Sequence, residues 1–269
     1  MGILNVTPDS FAEAAPLTDV ARAVDRALEM EADGADLIDI GGESTRPGAE
    51  AVAAPDEIAR VVPVLRALAG RLRVPVSVDT SKAEVARAAL GEGAAVVNDV
   101  SGLKADVALG RVVAEAGAGL VLMHMRGRPK AMYAEARYAD LVAEVAAELR
   151  ESMELATRAG VSPGRLIVDP GIGFAKRPAD SYGVLARLPE LASALGCPLL
   201  VGPSRKSFMR DALGDRPAVE RDWGTAAAVT AAVLAGAHVV RVHNVSAMAQ
   251  VVRVAEEVRR QDARLEGKS

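Results

Sequence analysis

The sequence predicts an α/β fold, a single (β/α)8 TIM barrel. Short, continuous apolar runs alternate with longer segments of helical period along the whole chain. Eight such runs can be counted, and unbroken apolarity marks strands buried on both faces, as in a parallel sheet. The 269 residues also match the about 250 that such a barrel takes.

In order, the strand runs are 2–6, 36–41, 74–79, 94–99, 119–124, 165–169, 198–202 and 237–243. Apolar residues at helical spacing occupy 19–32, 56–72, 82–91 and 138–159 between them. Thr18 and Pro163 stand where a helix or turn begins, and Gly34, Gly93, Gly117 and Gly160 where helices stop. The barrel spans 1–258, and the charged segment 259–269 reads as a frayed tail. A barrel's amino-terminal face is usually plugged, yet nothing stands ahead of the first run. A short first strand and a thinly covered floor are therefore expected, as if a floor segment were truncated.

Composition excludes several classes. The chain is 50% hydrophobic and 25% charged, which is ordinary for a globular protein. A net charge of -4 argues against a general nucleic-acid or membrane-surface binder, where a basic face is expected. Cys197 is the single cysteine, so no internal disulfide and no cysteine metal site can form, which fits a reducing cytoplasm. Its plain role is a small apolar filler before Pro198. Asn5 interrupts any secretory core, and even the apolar stretch 225–237 is too short to span a bilayer.

Polar residues gather where the strands end. Run one ends in Asn5, run two leads into Gly41-Gly42-Glu43-Ser44-Thr45-Arg46-Pro47, and run three ends in Asp79. Asn98-Asp99, His124 and Asp169-Pro170-Gly171 follow, then Ser204-Arg205-Lys206-Ser207 and finally Arg241-Val242-His243-Asn244. In a barrel these positions face one mouth, the face where barrel enzymes work. A single Asp there can be a helix cap and a single Asn a turn former. Eight together make an all-structural account untenable. Asp79, Asp169 and Asn98, deep in an apolar barrel, suit a flat heterocycle rich in N–H donors, because a carboxylate takes two parallel N–H bonds from an amidine-like edge. The alternative is that the two carboxylates pair with Lys206 or Arg205 as structural ion pairs. Arg46, Arg241, His243 and Asn5 would gather an anion such as a pyrophosphate. Ser204 to Ser207 could open a helix whose free N–H groups favour another anion. His124, His238 and His243 have no zinc-ligand spacing, and His238, at a strand start, reads as structural.

Asn5-Val-Thr-Pro-Asp-Ser-Phe11 and Asp39-Ile-Gly-Gly-Glu-Ser-Thr-Arg-Pro-Gly48 resemble the two signature loops of the dihydropteroate synthase family. Asp79-Thr-Ser81, Asn98-Asp-Val-Ser-Gly102, Asp169-Pro-Gly-Ile-Gly-Phe174, Ser204-Arg-Lys-Ser-Phe208 and Arg241-Val-His243 extend the resemblance over essentially the whole chain. It implies a transferase that joins p-aminobenzoate to hydroxymethyl-dihydropterin pyrophosphate, releasing pyrophosphate. By the same resemblance Asp79, Asn98, Asp169, Lys206 and Arg241 would hold the pterin, with Asp169, Lys206, Arg241 and Arg46 catalytic. Asn5, Arg46, Arg241 and His243 would take the pyrophosphate, Asn5 also through Mg²⁺. Phe11, Thr45, Pro47, Phe174 and Ser207 would bind p-aminobenzoate. A homodimer is implied too, with the apolar run 226–235 either contributing to it or packing on the barrel itself.

Departures from the family pattern are the missing floor segment, Ala12-Glu13-Ala14-Ala15 where relatives commonly have Ser-Asp-Gly-Gly, and Asn244 where Asp is frequent. Two other readings share the deep pterin site: a methyltransferase barrel serving a corrinoid protein, and a non-catalytic pterin-binding paralogue. The Ser-Thr-Arg-Pro loop, Phe174 and the Arg241/His243 pair argue against the first. The intact set of polar residues argues against the second.

Overall fold

The structure, a computed structural model, describes residues 1–7, 16–44, 51–127 and 136–266. Strands β1 (Gly2–Asn5), β2 (Ile38–Gly41), β3 (Val76–Asp79) and β4 (Val96–Asp99) alternate with helices α1 (Pro16–Ala32), α2 (Ala54–Leu68) and α3 (Ala83–Gly91). Next come α4 (Ala108–Ala116), β5 (Gly119–Met123), α5 (Leu141–Arg158), β6 (Leu166–Asp169), α6 (Pro178–Ala186) and α7 (Leu188–Leu195). The last elements are β7 (Leu200–Val201), α8 (Arg210–Leu213), α9 (Asp222–Leu234), β8 (Val239–Val240) and α10 (Val245–Glu266).

β1 to β6 form one parallel sheet in sequence order, and β7 pairs with β8. Two parallel bridges complete the cylinder, Val168 with Leu199 and Gly2 with Val242. Across the second seam the Ile3 N–H donates to the Val242 carbonyl at 3.0 Å and the Val242 N–H to that of Met1 at 2.9 Å. The expected closed barrel is the observed one.

Its amino-terminal edges are trimmed relative to the apolar runs, for a local reason. Ala94, for example, donates its N–H to the Ala89 carbonyl as the chain leaves α3, so β4 begins only at Val96. Gly34, Gly93, Gly117 and Gly160 all take positive φ where helices were expected to stop. One helix per strand proves too simple. Arg187 ends α6 and begins α7, and Pro189 in the first turn favours a fresh start there. A further correction concerns the tail: α10 continues to Glu266, and Arg259 reaches the Val233 carbonyl at 3.1 Å, so residues 259–266 are helical.

Alternation along the strands sorts the core into two parts. Ile38, Ile40, Val78, Val97, Leu120 and Leu122 point outward into one apolar cluster with helix residues such as Val24, Val61, Leu65 and Leu109. Full burial of each such side chain stabilises the fold by about 1.5–3 kcal/mol, which offsets the charges inside the barrel. Inside, Met1, Val121 and Leu200 form a small apolar layer, against which Leu37, Val96, Ile167 and Val239 are only partly buried. Above that layer the interior turns polar. No helix among the described residues is long and apolar enough to cross a membrane.

Candidate active site

Register builds the mouth. Asn5 pairs with Gly41, Gly41 with Asp79 and Asp79 with Asn98, so four neighbouring strands end in one row. Gly41 keeps the row open: a Cβ there would lie 3.4 Å from the Asp79 Cβ and 3.8 Å from the Asn5 Oδ1. On β6, Asp169 pairs with Met123. Asp79, Asn98 and Asp169 are all buried.

Arg241, just past β8, reaches across the barrel. Its Nε donates to Asp39 Oδ2 at 2.6 Å and its Nη2 to Asp79 Oδ2 at 2.8 Å, while Asn98 Nδ2 donates to the same Asp39 oxygen at 3.0 Å. Asp39 is wholly buried and its Oδ1 has no hydrogen-bond partner. The alternative of structural ion pairs takes a different form for Asp79: its partner is Arg241 rather than Lys206 or Arg205, and Arg241 is shared between two carboxylates. Arg205 instead turns away to Asp222, with contacts of 2.7 and 2.8 Å. Sequence reading missed Asp39 as a member of the site. The available signal was a carboxylate interrupting the apolar run Leu37 to Ile40.

The turn after β6 is built tightly. Gly171 donates its N–H to Asp169 Oδ1 at 2.7 Å. Gly171 has φ +70°, and a Cβ on it would fall 2.1 Å from the His124 carbonyl oxygen, so only glycine fits. Lys206 donates to the Ile172 carbonyl at 2.9 Å, and its Nζ lies 3.7 Å from the centre of the Phe174 ring. Asp169 Oδ2 faces the side-chain-free Gly202 of the β7 turn, 3.9 Å from where a Cβ would stand.

Burial dominates the electrostatics here. It pushes the Asp169 carboxyl up, against the Gly171 N–H and Lys206. It also pushes Asp79 up, against the opposing pull of Arg241 and with help from Asp39. Burial draws the Lys206 ammonium down to about 7 despite Asp169. Groups of opposite charge whose ionised forms are both penalised mark a site where a ligand supplies the missing partners.

At the other side of the mouth Ser204 Oγ lies 2.9 Å from His243 Nδ1 and accepts the His243 backbone N–H at 3.2 Å, which fixes the ring. Asn244 donates to Asp222 at 2.9 Å and accepts the Ala247 N–H at 3.3 Å, so the change from aspartate is absorbed by a neighbouring carboxylate and a helix start. The helix expected to open at Ser204–Ser207 is a 3-10 turn, Ser207–Met209, followed by the four-residue α8. Ser207 is exposed on that turn.

Phe11, Thr45, Arg46 and Pro47 lie outside the described residues, as does the altered segment 12–15. The root of the second loop is described. Lys82 bridges Glu43 and the buried Glu57, the latter at 2.5 Å, and Arg60 donates to the Gly42 carbonyl at 2.8 Å. Neither Lys82 nor Glu57 was singled out from sequence, because each matters only through a partner distant in the chain. Among the described residues no group of three His, Cys, Asp or Glu could hold a metal ion.

Comparison with known proteins identifies the family and agrees with the fold. The family model described as pterin binding enzyme matches residues 1–243. A dihydropteroate synthase of a Synechocystis species is 46% identical over 256 residues, covering 95% of this chain and 88% of that protein. Among solved structures, the Yersinia pestis dihydropteroate synthase in a sulfonamide drug complex superposes with a TM-score of 0.90 at 41% identity, covering 96% of this chain and 93% of that one. The Xanthomonas albilineans dihydropteroate synthase with 4-aminobenzoic acid gives 0.88 at 43% identity, covering 96% and 92%.

Proposed function

The chain belongs to the pterin-binding enzymes, within their dihydropteroate synthases, and from that premise we propose how its barrel mouth makes dihydropteroate. The reaction joins p-aminobenzoate to hydroxymethyl-dihydropterin pyrophosphate. The amine nitrogen forms a bond to the exocyclic carbon, the carbon–oxygen bond to pyrophosphate breaks, and the amine gives up one proton. The observation that carries the residue roles is the buried set Asp79, Asn98 and Asp169 at three strand ends, joined by the half-buried Lys206 from the turn after β7.

Asp169, Asp79 and Asn98 accept from and donate to the polar edge of the pterin, and Lys206 supplies a cation to its oxygen. Binding thus restores the charged forms that burial penalises. Pyrophosphate leaves toward Asn5, Arg46, Arg241 and His243. Arg241, already fixed by two carboxylates, needs no reordering to meet the charge that develops. The dihydropterin can delocalise the cation left behind, so the displacement is ionisation-first and no protein nucleophile is required. Phe174 and Ser207, with Phe11, Thr45 and Pro47, receive p-aminobenzoate.

Asn5 offers one neutral oxygen at the mouth and no carboxylate cluster accompanies it among the described residues. That donor set fits a Mg²⁺ carried in on the pyrophosphate and keeping much of its water. Bound there, the ion would draw charge from the leaving group.

Release of pyrophosphate that depends on p-aminobenzoate, with dihydropteroate confirmed by mass, tests the reading. Pterin binding without turnover would favour the methyltransferase or the silent paralogue. The pH profile tests the roles. Burial draws the Lys206 ammonium down to about 7, so the cation is lost as pH rises and kcat/KM for the pterin substrate should fall above about 7. Asp169, raised by burial, loses its charge as pH falls and gives the acid limb. The anionic substrate favours the Lys206 ammonium, so kcat should hold to higher pH. An alkaline limb that survives in Lys206→Met would remove this role.

The expected homodimer has support on the outer face of the last helices. Leu234, Val254 and Val258 are 45%, 67% and 53% exposed beside one another on α9 and α10. Most of the run 226–235, including Val229, Ala232 and Val233, packs on the barrel. Val258→Glu should shift the protein toward monomer in sedimentation velocity, and an unchanged dimer would place the interface elsewhere. The single free thiol, buried at Cys197, is consistent with a cytoplasmic setting.

A further inference from the structure

A polar cluster that the reaction as described does not use lies behind Phe174. Lys176 is 1% exposed, and its Nζ is 2.8 Å from His124 Nδ1 and 3.3 Å from the Phe174 carbonyl oxygen. The other ring nitrogen of His124 lies 3.2 Å from Glu148 Oε2. Arg126 holds Glu148 at 2.5 Å and covers the Tyr138 ring at 4.1 Å from its centre. Tyr138 in turn donates its hydroxyl to the Ala175 carbonyl at 2.8 Å. The cluster therefore closes on two consecutive carbonyls, those of Phe174 and Ala175.

Two features make a purely structural role an incomplete account. Burying the Lys176 ammonium stabilises a fold no better than an apolar side chain of the same volume would. Ala175 also sits at φ +46°, a left-handed conformation that is strained in a residue other than glycine. Strain and buried charge converge on the peptide that follows Phe174, and the ring of Phe174 faces the Lys206 Nζ.

We propose that Lys176 and Tyr138 are positioning residues: by holding the Phe174 and Ala175 carbonyls they fix the Phe174 ring as a wall for p-aminobenzoate. The proposal rests on the functional reading above. Donation from Lys176 to His124 Nδ1 requires a neutral imidazole with its proton on Nε2, toward Glu148. Burial and the adjacent Lys176 keep His124 in that form by drawing its pKa down to about 4. Lys176 itself is drawn down to about 7 by burial, yet charged or neutral it retains an N–H to donate. The bracket therefore holds across the working pH range.

Tyr138→Phe removes one hydroxyl and little else, and Lys176→Met removes the other grip. Each should raise KM for p-aminobenzoate about five- to twentyfold, in line with one lost hydrogen bond. Turnover at saturating p-aminobenzoate and KM for the dihydropterin pyrophosphate should stay within about twofold, the pattern of lost ground-state binding. Adding Tyr138→Phe to Phe174→Ala should have no further effect on KM, because the first acts through the second. Unchanged KM in Tyr138→Phe, or full additivity with Phe174→Ala, overturns the proposal even if the melting temperature falls. Should Lys176→Met fail to fold, Tyr138→Phe and the double variant decide alone. Wild-type enzyme lacking turnover dependent on p-aminobenzoate overturns the functional reading, and the bracket with it.

Discussion

Asp169→Asn should lower kcat by about a hundred- to a thousandfold while leaving the fold intact, the scale of losing one preorganised electrostatic group. The substitution preserves shape. Its carbonyl oxygen can still accept the Gly171 N–H that now reaches Asp169 Oδ1 at 2.7 Å. The atom that replaces Oδ2, beside Gly202, becomes a donor and meets the donor edge of the pterin. The negative charge that favours the Lys206 ammonium and the developing cation disappears with it. Steady-state kcat and both KM values, with product identified by mass, measure the effect. A variant turning over near the normal rate would mean that Asp169 is not the pterin carboxylate.

Arg241→Met should be the most damaging change to stability and abolish measurable turnover. Removing the guanidinium leaves Asp39 and Asp79 facing each other in the barrel without compensation, which typically costs about 3–5 kcal/mol. In a domain of this size each kcal/mol moves the melting temperature by about 2–4 °C, so a fall of roughly 10 °C is expected. The pH dependence identifies the cause. Without Arg241 the Asp79 carboxyl, already raised by burial and by the nearby Asp39 charge, must take up a proton on folding, so its folded-state pKa lies still further above the unfolded one. The folded protein then binds more protons, and stability falls as pH rises above the ordinary carboxylate range. Calorimetry at pH 5 and pH 8 should therefore show the larger deficit at pH 8. Adding Asp79→Asn should recover part of it. Equal deficits at both pH values would point to lost packing instead.

These two residues also show how legibility differed across the site. Asp169 could be read because it ends an apolar run, and in a barrel every run ends at the same mouth. Arg241 was readable as a mouth residue, but its partners were not. The Asp39 carboxylate lies 202 positions away, and closure between β8 and β1 alone brings them together. Lys206 and Arg205 are neighbours in sequence with opposite fates. Arg205 takes φ +58° and turns to Asp222, while Lys206 enters the barrel. No period or composition records such a turn. The loop that carries Lys176 gives no sign of burial either, because its cluster draws on His124, Glu148 and Tyr138 from other elements.

The sequence by itself determined the barrel and the row of polar residues at its mouth. Both follow from local rules: strand alternation sorts side chains inside from outside, and parallel connections put all carboxyl ends on one face. Tertiary structure alone decided which charges meet, how far burial moves their protonation, and that Asp39 belongs to the site. Charge–charge energy depends on distance and on the medium between the groups, and the closing of the barrel sets both.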